Sequence, residues 1–336
     1  MKRTSEVKSE PSGVVWTRTL LSELPVPERE FIVNGPTHRK IGALAAGIRR
    51  LGTTREKDRN FLCLCSENKT LVAAALLAAL SGGPRLVFPY AFSRQAVADV
   101  LKTMPVSRVL ADGPGDFPPE VETIFPDMLD QADLQPRHFI DADDPFLMLF
   151  TGGSTGAPKV WAKTPRNMIE EARYMCTTFG ITAEDVFLAT VPPQHIYGLL
   201  FSVLVPLIAS ARVLEGIYVF PREILKAAAE SGATILVSVP ACYRVMKGDF
   251  LKRHHLRMAF SSAGALDAAD ADYFRAKTDL DINEIYGSTE TGGVAVRCRG
   301  RDGDTLTALD PVEWRIEDGR LQVRSPFISP SLPRNE

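Results

Sequence analysis

Cysteine, histidine and aromatic residues are scarce in this chain of 336 residues: five Cys, five His and 8% aromatic. The thiols Cys63, Cys65, Cys176, Cys242 and Cys298 are odd in number and scattered. That excludes a disulfide framework and favours buried, reduced thiols in a cytoplasmic protein. Cys63 and Cys65 are spaced to share one face of a strand, but this spacing fits no zinc motif. An excess of charge is also missing, with a net charge of -2 and a pI near 6.3. Neither nucleic acid nor an anionic membrane is indicated as a partner. Long apolar runs are absent as well. The longest, Leu71 to Leu80, is too short and too rich in alanine to span a bilayer, and reads as a buried helix. The polar start, Met1 to Glu10, lacks the apolar core of a signal peptide, and residues 1–12 read as a disordered tail. What is present is ordinary globular composition, 45% hydrophobic and 24% charged, over a length that can bury a large core or two subdomains.

Hydrophobic periodicity predicts an α/β chain. A helix over 40–51 carries Ile41, Leu44, Ala45, Ile48 and Leu51 on one face. Phe61 to Cys65 reads as a strand, Asn68 as the cap of a helix ending at Leu80, and Gly82 with Gly83 as its stop. Strands at Leu86–Phe88 and Arg108–Ala111 flank a helix near 93–103, a rhythm that implies a parallel, doubly wound sheet. Residues 112–145, rich in proline and acid, read as a surface connection. A helix at 167–179 with Met168, Ala172, Met175, Cys176 and Phe179 as its apolar stripe opens a second α/β rhythm that runs to a strand at 282–285. Alternating residues in 294–326, with an Asp318–Gly319 turn, predict an antiparallel hairpin. The expected division is residues 13–140 and 141–293 as two doubly wound α/β subdomains, with 294–336 as a small antiparallel β region.

Four segments carry chemistry. Leu147 to Lys159 is an apolar strand running into Thr151-Gly-Gly-Ser-Thr-Gly-Ala-Pro-Lys159. Gly152, Gly153 and Gly156 allow backbone N–H groups to approach polyphosphate oxygens. Ser154 and Thr155 add hydroxyl donors, and Lys159 adds a positive charge. It is not a Walker A loop, because Ala157 and Pro158 precede the lysine and Val160-Trp161 reads as strand. Asn283 to Gly293 repeats the strand-then-loop pattern. Tyr286 offers a stacking face, Gly287 close approach, Ser288 and Thr289 hydroxyls, and Glu290 a hard oxygen for Mg²⁺. Ser261 to Leu266 is a turn of small residues, and His195-Ile-Tyr-Gly198 follows Pro192-Pro193. His254 and His255 sit in a basic run that reads as solvated surface, and His38 and His138 receive no role.

Together these segments resemble the adenylate-forming superfamily of acyl- and aryl-CoA synthetases, peptide-synthetase adenylation domains and luciferases. Thr151–Lys159 is similar to its phosphate loop, Tyr286–Glu290 to its adenine and Mg²⁺ motif, His195–Gly198 to its acyl-site motif, and Ala263–Ala265 to the turn along the adenine. The resemblance implies activation of a carboxylic acid by ATP with release of pyrophosphate, then transfer to CoA or a carrier-protein phosphopantetheine thiol. It implies that Thr151, Ser154, Thr155 and Lys159 hold the β- and γ-phosphates, Thr289 the α-phosphate and Glu290 the Mg²⁺. Tyr286 would stack on adenine beside Gly264 and Ala265, and His195 would border the reacting carboxylate. Tyr197, Phe201, Val239, Pro240, Ala241, Ser262 and Gly264 would wall the acid pocket. No acidic residue lies between Thr190 and Ile208, which argues for a simple aryl or acyl acid rather than an amino acid. After Arg320–Arg324 the family's Thr-Gly-Asp segment and C-terminal catalytic lysine are not found. The expectation is therefore an N-terminal domain without the C-terminal domain. The alternative is a non-catalytic nucleotide- or acyl-binding subunit, or half of a split enzyme that needs a separate C-terminal domain.

Overall fold

The computed structural model describes residues 28–52, 61–132, 134, 139–152, 158–248 and 254–332. The expected tail at 1–12, Gly153, Ser154, Thr155 and Gly156 of the phosphate loop, and His138 lie outside the described residues. The first sheet contains β1 (Phe61–Cys65), β2 (Arg85–Phe88), β3 (Val106–Ala111), β4 (Glu122–Ile124), β5 (Leu147–Thr151) and β6 (Lys159–Lys163). Its order is β4-β3-β1-β2-β5-β6. Strands β1 to β5 run parallel, and β6 returns antiparallel to β5 with Thr151 opposite Lys159. The expected boundary at residue 140 therefore falls within this sheet. Periodicity identifies Leu147–Thr151 as a strand, but the open edge of β2 decides which sheet it joins. Likewise the connection 112–145 contributes β4 to the sheet edge.

The second sheet contains β7 (Val186–Ala189), β8 (Arg212–Val213), β9 (Ile235–Ser238), β10 (Met258–Ser261), β11 (Ile282–Ser288), β12 (Gly292–Cys298) and β13 (Thr307–Ala308). Its order is β13-β12-β11-β10-β9-β7-β8. Strand β12 pairs antiparallel with β11, so Val294–Cys298 extends this sheet instead of the expected small β region. Only β14 (Glu313–Glu317) and β15 (Arg320–Arg324) form a separate two-stranded sheet. Its turn has Asp318 at φ 50° and Gly319 at φ 70°, the left-handed pair a two-residue hairpin requires. The fold is α/β, with two parallel-cored sheets and a small antiparallel one.

Side-chain alternation builds the layers. Leu62 and Leu64 face the core between the two sheets, whereas Cys63 and Cys65 face the outer side of the first. The two sulfurs lie 3.9 Å apart on that shared face. Phe187, Val237 and Phe260 of the second sheet face the same central core, and Leu188, Leu236 and Ala259 face an outer one. Helices Lys69–Leu80, Pro165–Thr178 and the run from Ile196 to Ala209 fill the space between the sheets. Every residue of Lys69–Leu80 is buried, which is why its pattern lacks a polar face. Asn68 caps this helix by accepting Leu71 N–H at 2.8 Å, a contact typically worth ~1 kcal/mol.

Lys69 and Glu215 join the two units. Glu215 follows β8, and its carboxylate accepts Lys69 N–H at 2.6 Å and the Thr70 hydroxyl at 2.9 Å. Lys69 Nζ donates to the carbonyls of Glu215 and Gly216. Burial pushes the Lys69 ammonium down to about 8, against the opposing pull of Glu215 and Glu67.

Candidate active site

The segments singled out in the sequence emerge at the C-terminal ends of parallel strands. Thr151 ends β5, Thr190 to Tyr197 follows β7, Ser262 to Ala265 follows β10, and Tyr286 to Ser288 ends β11. Ligands bind at this edge of open α/β sheets because the loops converge there. Here loops from both sheets enclose one cavity of about 280 Å³. Thr151, His195, Tyr197, Ser262, Gly287, Ser288 and Thr289 line it. Gly152, Lys159, Val239, Gly264, Ala265, Tyr286 and Glu290 stand outside its lining. Lys159 and Gly152 are exposed beside Thr151, and Tyr286 keeps half of its surface exposed. A ring open in this way can accept a flat ligand.

Local geometry explains the residue types. The helix that begins at Ile196 crosses close to Pro192, and a Cβ on Gly198 would stand 2.0 Å from the Pro192 carbonyl oxygen. A Cβ on Gly287 would stand 2.2 Å from the Gly292 carbonyl oxygen across the β11–β12 pair. Ala263 holds φ 65°, a left-handed conformation that costs about 1–2 kcal/mol for a residue with a Cβ. Ser262 fixes the turn by donating to the Ile285 carbonyl at 2.8 Å. Ser288 and Thr291 close the next loop, each backbone N–H donating to the other's hydroxyl at 3.2 Å. Trp161 Nε1 donates to the Thr151 hydroxyl at 3.3 Å, across β5 and β6.

His195 lies exposed at the rim. Partial desolvation lowers its pKa, and the nearby Glu67 opposes that shift. Tyr197 is buried in the cavity wall. Burial raises its pKa well above the usual phenol range, opposed by a hydrogen bond from the Ser238 backbone, so the phenol stays neutral.

Glu171 is a wall residue that motif reading misses. It comes from the helix Pro165–Thr178 and sits on the stripe of Met168, Ala172 and Met175. A carboxylate at an apolar position of a buried helix face is the signal that marks it in the sequence. Its Oε1 accepts Gly293 N–H at 2.7 Å. Burial raises its pKa, opposed by Lys163 and by that hydrogen bond. Lys163 is itself buried and is pushed down to about 8 by desolvation, with Glu171 and Glu290 opposing.

Among the described residues no three His, Cys, Asp or Glu side chains gather into a metal site. Among the same residues no helix is long and apolar enough to cross a membrane.

The sequence pattern of the AMP-binding enzyme family matches residues 36–324. The chain belongs to this family. A 2-succinylbenzoate–CoA ligase of Listeria innocua is 29% identical over 203 residues, 56% of this chain and 42% of the relative. A sulfoacetate–CoA ligase of Cupriavidus necator is 27% identical over 176 residues, 52% of this chain and 33% of the relative. The matched region thus spans less than half the length of these curated relatives. Solved structures share the fold. ATP-bound MatB from Rhodopseudomonas palustris superposes with a TM-score of 0.81 at 21% identity, over 94% of this chain and 71% of that one. A malonyl-CoA ligase with methylmalonyl-CoA and AMP bound gives 0.78 at 24% identity, over 92% and 72%.

Proposed function

We propose that this AMP-binding family chain activates a carboxylic acid, aryl or acyl, as an acyl-adenylate. The carboxylate oxygen attacks the α-phosphorus of ATP, the bond to the bridging oxygen breaks, and pyrophosphate leaves. The acyl group then passes to the thiol of CoA or of a carrier-protein phosphopantetheine. The observation that carries this reading is the meeting of Thr151, the His195–Tyr197 turn, Ser262 and Gly287–Thr289 around one cavity. The CoA ligases among the relatives and the nucleotide complexes among the similar structures support it.

Thr151, Lys159 and the loop residues Ser154 and Thr155 hold the β- and γ-phosphates in this reading. Gly152, Gly153 and Gly156 bring backbone donors close, and Thr289 with Ser288 meets the α-phosphate. Glu290 would hold Mg²⁺, which when bound would supply positive charge to the phosphate oxygens. Tyr286 stacks on adenine beside Gly264 and Ala265. Catalysis is then mainly positioning and electrostatic stabilisation, where loss of one donor typically costs about 10²–10³-fold. The acid lies toward His195, Tyr197 and Ser262, which line the cavity. The one acidic side chain among the described lining residues, Glu171, already receives Gly293 N–H. A simple acid without an ammonium group therefore suits the site.

The deciding experiment is carboxylate-dependent exchange of labelled pyrophosphate into ATP, across a panel of aryl and fatty acids. Exchange with one class is the expected result. No exchange in a chain that still binds ATP would favour the alternative, a binding subunit that needs a separate C-terminal domain. His195→Ala should raise the acid concentration for half-maximal exchange about tenfold or more, the loss of one hydrogen bond to a charged group, with ATP affinity unchanged. An effect on ATP affinity instead would move His195 out of the acid site.

A further inference from the structure

A continuous polar brace lies behind the loop that carries Thr289 and Glu290, built from residues outside the motifs. On one side stands Glu171, with Oε1 accepting Gly293 N–H at 2.7 Å and Oε2 buried without a hydrogen-bond partner. A Cβ on Gly292 would lie 2.7 Å from that Oε2 and 2.7 Å from Phe327 Cβ. Only glycine lets the chain pass between the carboxylate and the phenylalanine. On the other side runs the segment Pro326–Ser331. Asn167 Nδ2 donates to the carbonyls of Pro326 at 2.6 Å and Ile328 at 3.0 Å. Lys163 Nζ donates to the Phe327 carbonyl at 3.2 Å. The Ser329 hydroxyl donates to the Ala162 carbonyl at 2.8 Å, and Ala162 N–H donates to the Ser331 hydroxyl at 3.2 Å. Ser329 N–H then donates to the Glu290 carbonyl at 2.7 Å. The Glu290 backbone is thereby tied to a strap whose other anchors lie on β6 and the helix after it. Strand β6 is also the strand that leaves the phosphate loop at Lys159.

A buried carboxylate and ammonium are poor devices for stability alone. Well-packed apolar groups in their place are often neutral or stabilising. What Glu171 and Lys163 supply is a fixed geometry for backbone groups that no apolar side chain can hold. We propose that Glu171 and the strap Pro326–Ser331 are positioning elements that fix the Thr289–Glu290 loop against β6, setting the distance between the two phosphate-contacting segments before nucleotide arrives. The role in nucleotide binding rests on the adenylate-forming reading. The physical advantage is preorganisation, since a loop already in place has less ordering to undergo on binding.

Glu171→Leu and Glu171→Gln in the full chain, with Ser329→Ala as a third variant, test the brace. Amide hydrogen exchange over residues 289–293 is measured without nucleotide. The Mg²⁺ concentration for half-maximal ATP binding is measured separately. Glu171→Leu should speed exchange and raise the Mg²⁺ requirement, each about tenfold, the equivalent of one hydrogen bond to a charged group. Glu171→Gln keeps an oxygen for Gly293 N–H and should restore both to within about threefold of wild type. Ser329→Ala loses the anchor on Ala162 and should move both readouts in the direction of Glu171→Leu, and it carries the test if the leucine variant does not fold. A purely structural role would lower the melting temperature and leave the Mg²⁺ requirement alone. Unchanged readouts in Glu171→Leu and Ser329→Ala, or equal damage from Gln and Leu, would overturn the proposal. A wild-type chain that binds no ATP would overturn the adenylate-forming reading instead, and amide exchange would then decide the brace by itself.

Discussion

Glu290→Ala is expected to weaken Mg²⁺-dependent ATP binding by about 10–100-fold, a range typical of losing a group that orients or holds a metal. Lys159→Ala should weaken ATP binding with and without Mg²⁺, because its charge acts on the phosphates directly. Neither change should disturb the fold. Glu290 is half-buried at the turn after β11, and the contact that holds it there uses its backbone carbonyl, which alanine retains. Lys159 is exposed at the start of β6, where its backbone pairs with Thr151. Calorimetric titration of ATP at fixed and varied Mg²⁺, with thermal melts alongside, separates the two roles. Unchanged nucleotide affinity in both variants would remove this edge of the sheets as the nucleotide site.

Asp185→Ala should lower stability by about 1–3 kcal/mol, the cost of leaving its buried hydrogen-bond donors without an acceptor, because the Arg257 side chain is 40% exposed and its charge can still reach water. Asp185 is 3% exposed. It accepts Arg257 Nε at 2.7 Å and Nη2 at 2.6 Å, the Thr234 hydroxyl at 2.8 Å and Thr182 N–H at 2.9 Å. These partners precede β7, β9 and β10, so the cluster ties three strand starts at the end of the sheet away from the cavity. ATP affinity measured well below the melting temperature should stay unchanged. A melting temperature equal to wild type would show that the cluster adds no net stability.

The same cluster makes a pH prediction, distinct from that of His38. Burial alone would raise the Asp185 carboxyl, but Arg257 and the hydrogen bonds outweigh it and hold the pKa below the usual value. Its stabilisation is complete above the unfolded value of about 3.9 and is lost as pH falls through the lower folded one. His38 is buried with both ring nitrogens unpartnered. Burial, with the Arg29 charge adding, pushes it down to about 4. The unfolded chain, with a histidine near 6.5, takes up the proton first, so stability falls as pH drops from about 6.5 toward 4. Thermal melts from pH 7 to 3 should therefore show Asp185→Ala below wild type by a near-constant amount above about pH 4, the gap closing only in the most acidic part of the profile. His38→Phe should flatten the part above it.

Local pattern alone determined a good deal about this protein. The Asn68 cap, the helix it starts, the Asp318–Gly319 hairpin, the β/α alternation and the four motif loops each depend on neighbours a few residues away. Those interactions act within one turn or one pleat, so a linear reading captures them. The tertiary structure alone decided the rest. It placed Leu147–Thr151 and Lys159–Lys163 at the edge of the first sheet and Val294–Cys298 in the second, because the open edge that satisfies a strand's backbone is set by distant segments. It also set Glu171 beside Gly293 and Ser329 beside Glu290, pairs 122 and 39 positions apart. The cavity exists only where the two sheets bring their strand ends together. Side-chain type marks each residue's chemical capacity. Long-range packing of two buried cores selects which of those capacities face one another.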